Sequence, residues 1–269
     1  MSLWPSSTDW RNAVRDIRDG VSRWEIWYLL GINDIRARYK RSRFGQFWIT
    51  LSMAVFVGGI GIVYSFLFQQ PVHDYIPYLA VNYIVWTLIQ GIIMDSGTVF
   101  TQATTYLTQE ALPKSTFVMR LIVRNLIAFA HNIVIIPLVF LIFGVVPSPT
   151  ILLAIPGLVL LLIAGFLASV WCGVLCTRFR DLPQIIQNGM QIAFFLTPIM
   201  WKSDQMTGHR AILVDANPFA SFLKLVGAPI RGEVPEATAY WMALGWTALL
   251  FIVTAPLFAR FRSRIVYWL

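Results

Sequence analysis

The chain has 269 residues, of which 57% are apolar and 13% charged, with a formal net charge of +8. This balance excludes an ordinary water-soluble domain. The apolar residues fall in long blocks, so the positive charge is read as attraction to membrane lipids rather than as a nucleic-acid surface, and no nucleic-acid partner is expected.

Residues 1–44 precede any apolar block and read as two amphipathic, interfacial helices on the cytoplasmic side, with no cleavable signal peptide indicated. In the first, Asp9 is placed as the helix cap, Trp10, Ala13, Val14 and Ile17 form one apolar face, Arg11, Arg15 and Arg18 point elsewhere, and Gly20 ends the helix. The second is predicted to begin at Ser22, whose spacing to Glu25 fits a capping box. It leads through Trp24, Trp27 and Tyr28 to the basic stretch Arg36, Arg38, Lys40, Arg41 and Arg43.

Residues 45–269 form the membrane domain, with six apolar blocks at about 46–69, 76–94, 118–143, 151–176, 183–201 and 239–259. Each is near the length of about 20 residues that a helix needs to cross hydrocarbon. Strict alternation is absent, which argues against a β-barrel. Most connections are short. A moderately polar one, 95–116, is a longer cytoplasmic loop, and 202–238 is an external loop whose apolar run from Phe219 to Val226 suits short helices dipping back toward the membrane. With alternate loops on opposite sides, 17 of the 21 Lys and Arg residues lie on one side. The positive-inside rule then puts both termini in the cytoplasm. The fold class is an all-α, six-helix membrane protein.

Polar residues inside spans need a reason, because each is costly in hydrocarbon. Gln184, Gln187, Asn188 and Gln191 project from one face of the fifth block. Such a face suits either a hydrated path that exchanges hydrogen bonds with sugar hydroxyls or packing between helices. Asn82, Trp86 and Gln90 recur every four residues in the second block and carry the same two readings. Arg120 and Arg124, with His131 near their face and Asn125 and Asn132 beside it, lie in the third block. They are placed either to hold a diphosphate or to snorkel to lipid headgroups. Cys172 and Cys176 lack a His or acidic neighbour and read as packing residues, so no metal site is expected.

No Gly-x-x-x-x-Gly-Lys-Ser/Thr phosphate loop occurs in the chain, so ATP hydrolysis is not expected of it alone. Catalytic Ser or His-Glu-x-x-His motifs are also missing, and acidic residues are almost absent from the blocks. A membrane-embedded glycosyl or phosphoryl transferase would have to work from a sparse set such as Asp95, Glu110 and Asp181.

From Asp34 onward the sequence resembles the permease subunits of type-2 ABC exporters for polysaccharide. Asp34-Ile35-Arg36-Ala37-Arg38-Tyr39-Lys40-Arg41-Ser42, with Gly45 and Trp48, is similar to that family's entry into the first span. Arg124-Asn125-Leu126-Ile127 with Phe129-Ala130-His131-Asn132 looks like the O-antigen (lipopolysaccharide) branch. Arg178-Phe179-Arg180-Asp181, Leu196-Thr197-Pro198-Ile199 and Asn217-Pro218 fit the family pattern further along, while Met53 departs from it where a proline is expected. The resemblance implies a homodimer in the bacterial inner membrane, docked on two separate ATPase subunits that bind ATP and Mg. It implies a translocation path at the dimer interface and a polymer carried on a polyprenyl diphosphate. The stretch 102–114, with Gln109, Glu110, Ala111, Leu112, Pro113 and Lys114, would be the coupling helix seated on the ATPase. On that reading Arg36 and Arg38, with Arg120 or Arg124, would gather the diphosphate. An ABC exporter of small lipids or drugs would share the architecture.

Overall fold

In hydrocarbon the backbone must satisfy its own hydrogen bonds, and the apolar blocks do so as helices. The computed structural model describes residues 4–40, 42–110, 112–202 and 214–269, and among these there is no strand. The helices are α1 (Ser7–Ser22), α2 (Trp24–Tyr39), α3 (Phe47–Leu67), α4 (Val72–Ser96), α5 (Thr104–Gln109), α6 (Lys114–Ile133), α7 (Ile135–Phe143), α8 (Ala154–Arg178), α9 (Leu182–Leu196), α10 (Pro218–Ile230), α11 (Ala237–Phe261) and α12 (Ile265–Trp268). Ala111, expected in the coupling segment, lies outside the described residues, as does 203–213 of the external loop.

Among the described residues five stretches are long and apolar enough to cross a bilayer: Phe47–Leu67, Val72–Ser96, Lys114–Phe143, Pro149–Arg178 and Ala237–Trp268. They match the first, second, third, fourth and sixth blocks. The third contains the α6–α7 break at Val134. Pro137 accounts for it, because it supplies no N–H to the Ile133 carbonyl and its ring crowds that position. The block expected as the fifth span forms a helix of 15 residues. That is a rise of about 22 Å, short of the roughly 30 Å hydrocarbon layer. The residue before a proline is driven away from helical geometry, and Thr197, preceding Pro198, is accordingly extended at φ −93°, ψ 137°.

Two motifs far apart in sequence meet at this stop. Asn217 caps α10 by accepting from the Phe219 N–H at 2.9 Å, while its Nδ2 donates to Thr197 Oγ1 at 3.0 Å and reaches the Leu196 carbonyl at 3.4 Å. The 13-residue helix α10 then packs into the bundle against α4, α8 and α11, with Leu223, Leu225 and Val226 buried.

Helix α4 is the hub, touching α3, α6, α7, α8, α9 and α10 and burying Tyr75, Leu79, Ile84, Trp86 and Ile92. By contrast α3 buries a single stripe, Met53, Val57, Gly61 and Ser65, at a spacing of four, and leaves Phe47, Val55 and Phe66 exposed.

The amino-terminal helices differ from expectation in three respects. Ser6, not Asp9, is the cap of α1: its hydroxyl accepts from the Asp9 N–H, and the Asp9 carboxylate accepts from the Ser6 N–H at 2.8 Å, a complete capping box. The helix continues through Gly20 to Ser22, so α2 starts at Trp24 with no side-chain cap. The predicted apolar face also divides: Ala13 turns inward with Asp16 and Gly20, while Trp10, Val14 and Ile17 stay exposed with Val21. An exposed apolar stripe beside arginines is the pattern of a helix in the headgroup layer.

Candidate functional site

The polar face of α9 is open. Gln184, Gln187, Asn188 and Gln191 are all exposed along one side of the helix, and Gln184 Nε2 donates to Asn188 Oδ1 at 3.3 Å. Gln187 and Gln191 join Gln90 of α4 in lining a groove of about 560 Å³ between α3, α4 and α9, with Phe56, Tyr64, Tyr83 and Phe194 among its other walls. Tyr83 stacks on Phe56 with ring centroids 4.2 Å apart, and Phe194 stands edge-on to Tyr83. The groove therefore offers amide donors and acceptors beside aromatic faces, the two kinds of contact a carbohydrate chain can exchange as it moves.

Of the three α4 residues expected together, only Gln90 reaches this groove. Trp86 is fully buried against Phe194 and Phe219, and its indole N–H donates to Gln90 Oε1 at 3.1 Å, so it orients the amide from behind. Asn82 is also buried, and its carbonyl accepts from Arg231 Nη1. That guanidinium also meets Glu233 at 2.8 Å and lies over the Tyr78 ring. A helix period places Asn82, Trp86 and Gln90 on one stripe, but the stripe of a central helix meets different neighbours along its length.

The basic residues also separate. Arg36 and Arg38 are exposed on α2. Arg120 and Arg124 are instead paired inside the protein, an arrangement that neither the diphosphate nor the snorkelling reading anticipated. Arg120 grips both carboxylate oxygens of Asp34, with its Nε at 2.7 Å. Arg124 reaches Asp34 at 3.3 Å, Asp95 at 2.9 Å and the Gln102 amide oxygen at 3.3 Å. Asn125 Nδ2 completes the set by donating to Asp95 at 2.9 Å. Two arginines thus face two carboxylates, and fork-shaped contacts of this kind are strong and directional. Gly91 makes room for it: a Cβ there would fall 2.2 Å from Asn125 Oδ1. Asp34 and Asp95 are the partners that the site reading lacked. The available signal was a pair of span arginines one turn apart, which in a low-dielectric setting calls for opposite charge.

In the expected coupling segment, a turn of 3-10 helix at Thr101–Ala103 runs into α5. Gln109 and Glu110 are exposed, Leu112 and Pro113 are buried, and the half-buried Lys114 opens α6. Leu107 anchors α5, and Tyr106 lies against Phe117 with centroids 5.9 Å apart.

No family model matches the chain. Similar proteins do. An O-antigen export system permease protein RfbA of Klebsiella pneumoniae is 22% identical over 191 residues, covering 71% of this chain and 74% of its own length. A second protein of that name from the same organism is 23% identical with the same coverage, and one from Myxococcus xanthus is 22% identical over 197 residues, again 71% and 74%. These likenesses, joined to five apolar membrane-length helices among the described residues, agree with the resemblance carried by the motifs from Asp34 onward: the chain is similar to O-antigen export system permease proteins.

Proposed function

We propose that this chain is the membrane-spanning subunit of an ABC exporter that carries polyprenyl-diphosphate-linked polysaccharide across the bacterial inner membrane. Two copies form the channel, and two separate ATPase subunits bind ATP and Mg and supply the work. In this reading α9, continued by the non-helical residues 197–201, completes a sixth crossing, and both termini face the cytoplasm. The single observation that favours it most is the open groove of Gln90, Gln187, Gln191 and aromatic rings, in a relative of proteins named for O-antigen export. Amides hold hydroxyls without the grip of a full charge, and ring faces let a sugar chain slide.

The exposed Arg36 and Arg38 are suited to gather the diphosphate at the cytoplasmic interface. Arg120 and Arg124 would contribute only by leaving their carboxylates, so in our reading they are structural in the resting protein. The coupling segment, with Gln109, Glu110, Ala111, Leu112, Pro113 and Lys114, receives the movement of the ATPase.

The test is deletion of the gene followed by complementation, reading surface polysaccharide. Loss on deletion and return with the wild-type chain are expected. Intact surface polysaccharide in the deletion strain would point to a small-lipid or drug exporter instead. Charge reversal of Arg36 and Arg38 is expected to lower export about tenfold at unchanged protein level, if two charge-assisted contacts are lost. Unchanged export would remove the capture step.

A further inference from the structure

Helix α6 begins in an unusual way for a long helix. Its cap residue is Pro113, which has no side-chain oxygen to receive the free N–H groups of the first turn. Those donors are met from another helix. Asp16 of α1, with a side chain only 1% exposed, accepts from the Lys114 N–H at 3.2 Å through Oδ2 and from the Ser115 N–H at 3.0 Å through Oδ1. The Ser115 hydroxyl lies 2.6 Å from the Asp16 carbonyl oxygen and 2.9 Å from Oδ1. Arg262, just beyond α11, reaches Oδ2 at 3.0 Å and balances the charge.

Backbone packing enforces the same contact. A Cβ on Gly20 would meet Ser115 Oγ at 2.0 Å and the Thr116 nitrogen at 2.9 Å, so α1 lies directly on the first turn of α6. The tail reaches back as well, with Arg260 donating to the Trp4 carbonyl at 3.3 Å. One buried carboxylate therefore joins three parts of the chain: the amphipathic helix with its exposed apolar stripe, the first turn of α6, and the C-terminal tail.

We infer that Asp16 is a positioning residue for coupling. It makes α1 and the Arg262 turn one rigid body with the exit of the coupling segment, so that displacement delivered to α5 reaches α6 and α1 together. This rests on the proposed exporter function. The physical reason is the proline. Without an acceptor for its first N–H groups the start of α6 would fray, and a push on α5 would be absorbed at Pro113 instead of being passed on. A carboxylate also favours the positive end of the helix dipole, and the Ser115 hydroxyl fixes its rotamer.

The experiment uses the chain co-reconstituted with its ATPase subunits in proteoliposomes, reading ATP hydrolysis and polysaccharide export in the same vesicles. Asp16→Asn keeps the size of the side chain but turns an amide toward donors that need an acceptor. Export per ATP hydrolysed is expected to fall about fivefold or more, the lower range of a coupling energy between sites, while hydrolysis stays near wild type. Arg262→Gln, which removes one partly exposed contact, is expected to lower the same ratio about twofold. If Asp16→Asn does not fold, Arg262→Gln decides alone. An unchanged ratio, or export and hydrolysis falling in parallel as in a merely unstable protein, overturns the inference while leaving the exporter reading standing. Wild-type vesicles that show no ATP-dependent export sink both.

Discussion

The arginine pair on α6 and the amide face on α9 look alike in sequence, as polar residues at helical spacing inside apolar blocks, yet the fold treats them oppositely. Arg120 and Arg124 spend their guanidinium groups on Asp34, Asp95 and Gln102. The α9 amides remain on an exposed face, with the Gln184–Asn188 bond confined to that same face. Charge explains the difference. A guanidinium close to hydrocarbon is stable only when paired, and once paired it is a joint between helices. An amide is cheap enough to be left facing a groove. Among polar residues in a membrane bundle, the weaker groups are thus the better candidates for contact with cargo, and the strongest are candidates for holding helices in register.

The arginine side of this contrast is the easier to break. Asp34 and Arg120 are less than one-fifth exposed as side chains. Removing one partner leaves a desolvated charge, so Asp34→Ala is expected to destabilise the chain by about 3 kcal/mol. It should appear as a large drop in thermal midpoint in detergent. A double variant, Asp34→Asn with Arg120→Gln, removes both charges and should recover part of the loss, because no orphan charge remains. If Asp34→Ala melts like wild type, the pair is not a joint and Arg120 is again available to a phosphate.

A second substitution strains the same network without touching a charge. At Gly91 a new Cβ would overlap the Asn125 amide oxygen and push it away from Asp95. Gly91→Val is expected to cost about 1–3 kcal/mol as overpacking, less than the orphaned carboxylate. Replacing Asn125 by Ala in that background should relieve most of the strain. No relief would mean that the cost of Gly91→Val arises elsewhere in the helix.

Much of the fold is legible in the sequence because the bilayer is a demanding solvent. A block of twenty apolar residues has few alternatives to a spanning helix, and α3, α4, α6–α7, α8 and α11 coincide with five such blocks. The fifth block forms a shorter helix than the others for a local reason: Thr197-Pro198 ends it early, which hydropathy does not register. Long-range pairings were hidden in principle. Nothing in the spacing of α1 says that Asp16 will cap a helix about 100 residues away, or that Ala13 and Gly20 will face protein while Val14 faces outward. The amide face of α9 was legible because it is periodic on one helix. The stripe on α4 was equally periodic but divided, since Trp86 and Asn82 are enclosed by α9, α10 and Arg231.

The amide side of the contrast predicts the smallest effect on stability. Gln187 and Gln191 are exposed and line the groove, so changing both to Ala should alter the unfolding free energy by only about 0.5 kcal/mol. In complemented cells the same variant should export poorly at normal protein level, since the hydroxyl-matching contacts are gone while the aromatic walls Phe56, Tyr83 and Phe194 remain. The two readouts decide between the readings of this face. A marked loss of stability would make the amides packing groups and would transfer the polymer path to some other surface. Full export at full stability would leave the groove without a role. Only the combination of an intact fold and impaired export fits cargo contact, and it is the reverse of what Asp34→Ala should give.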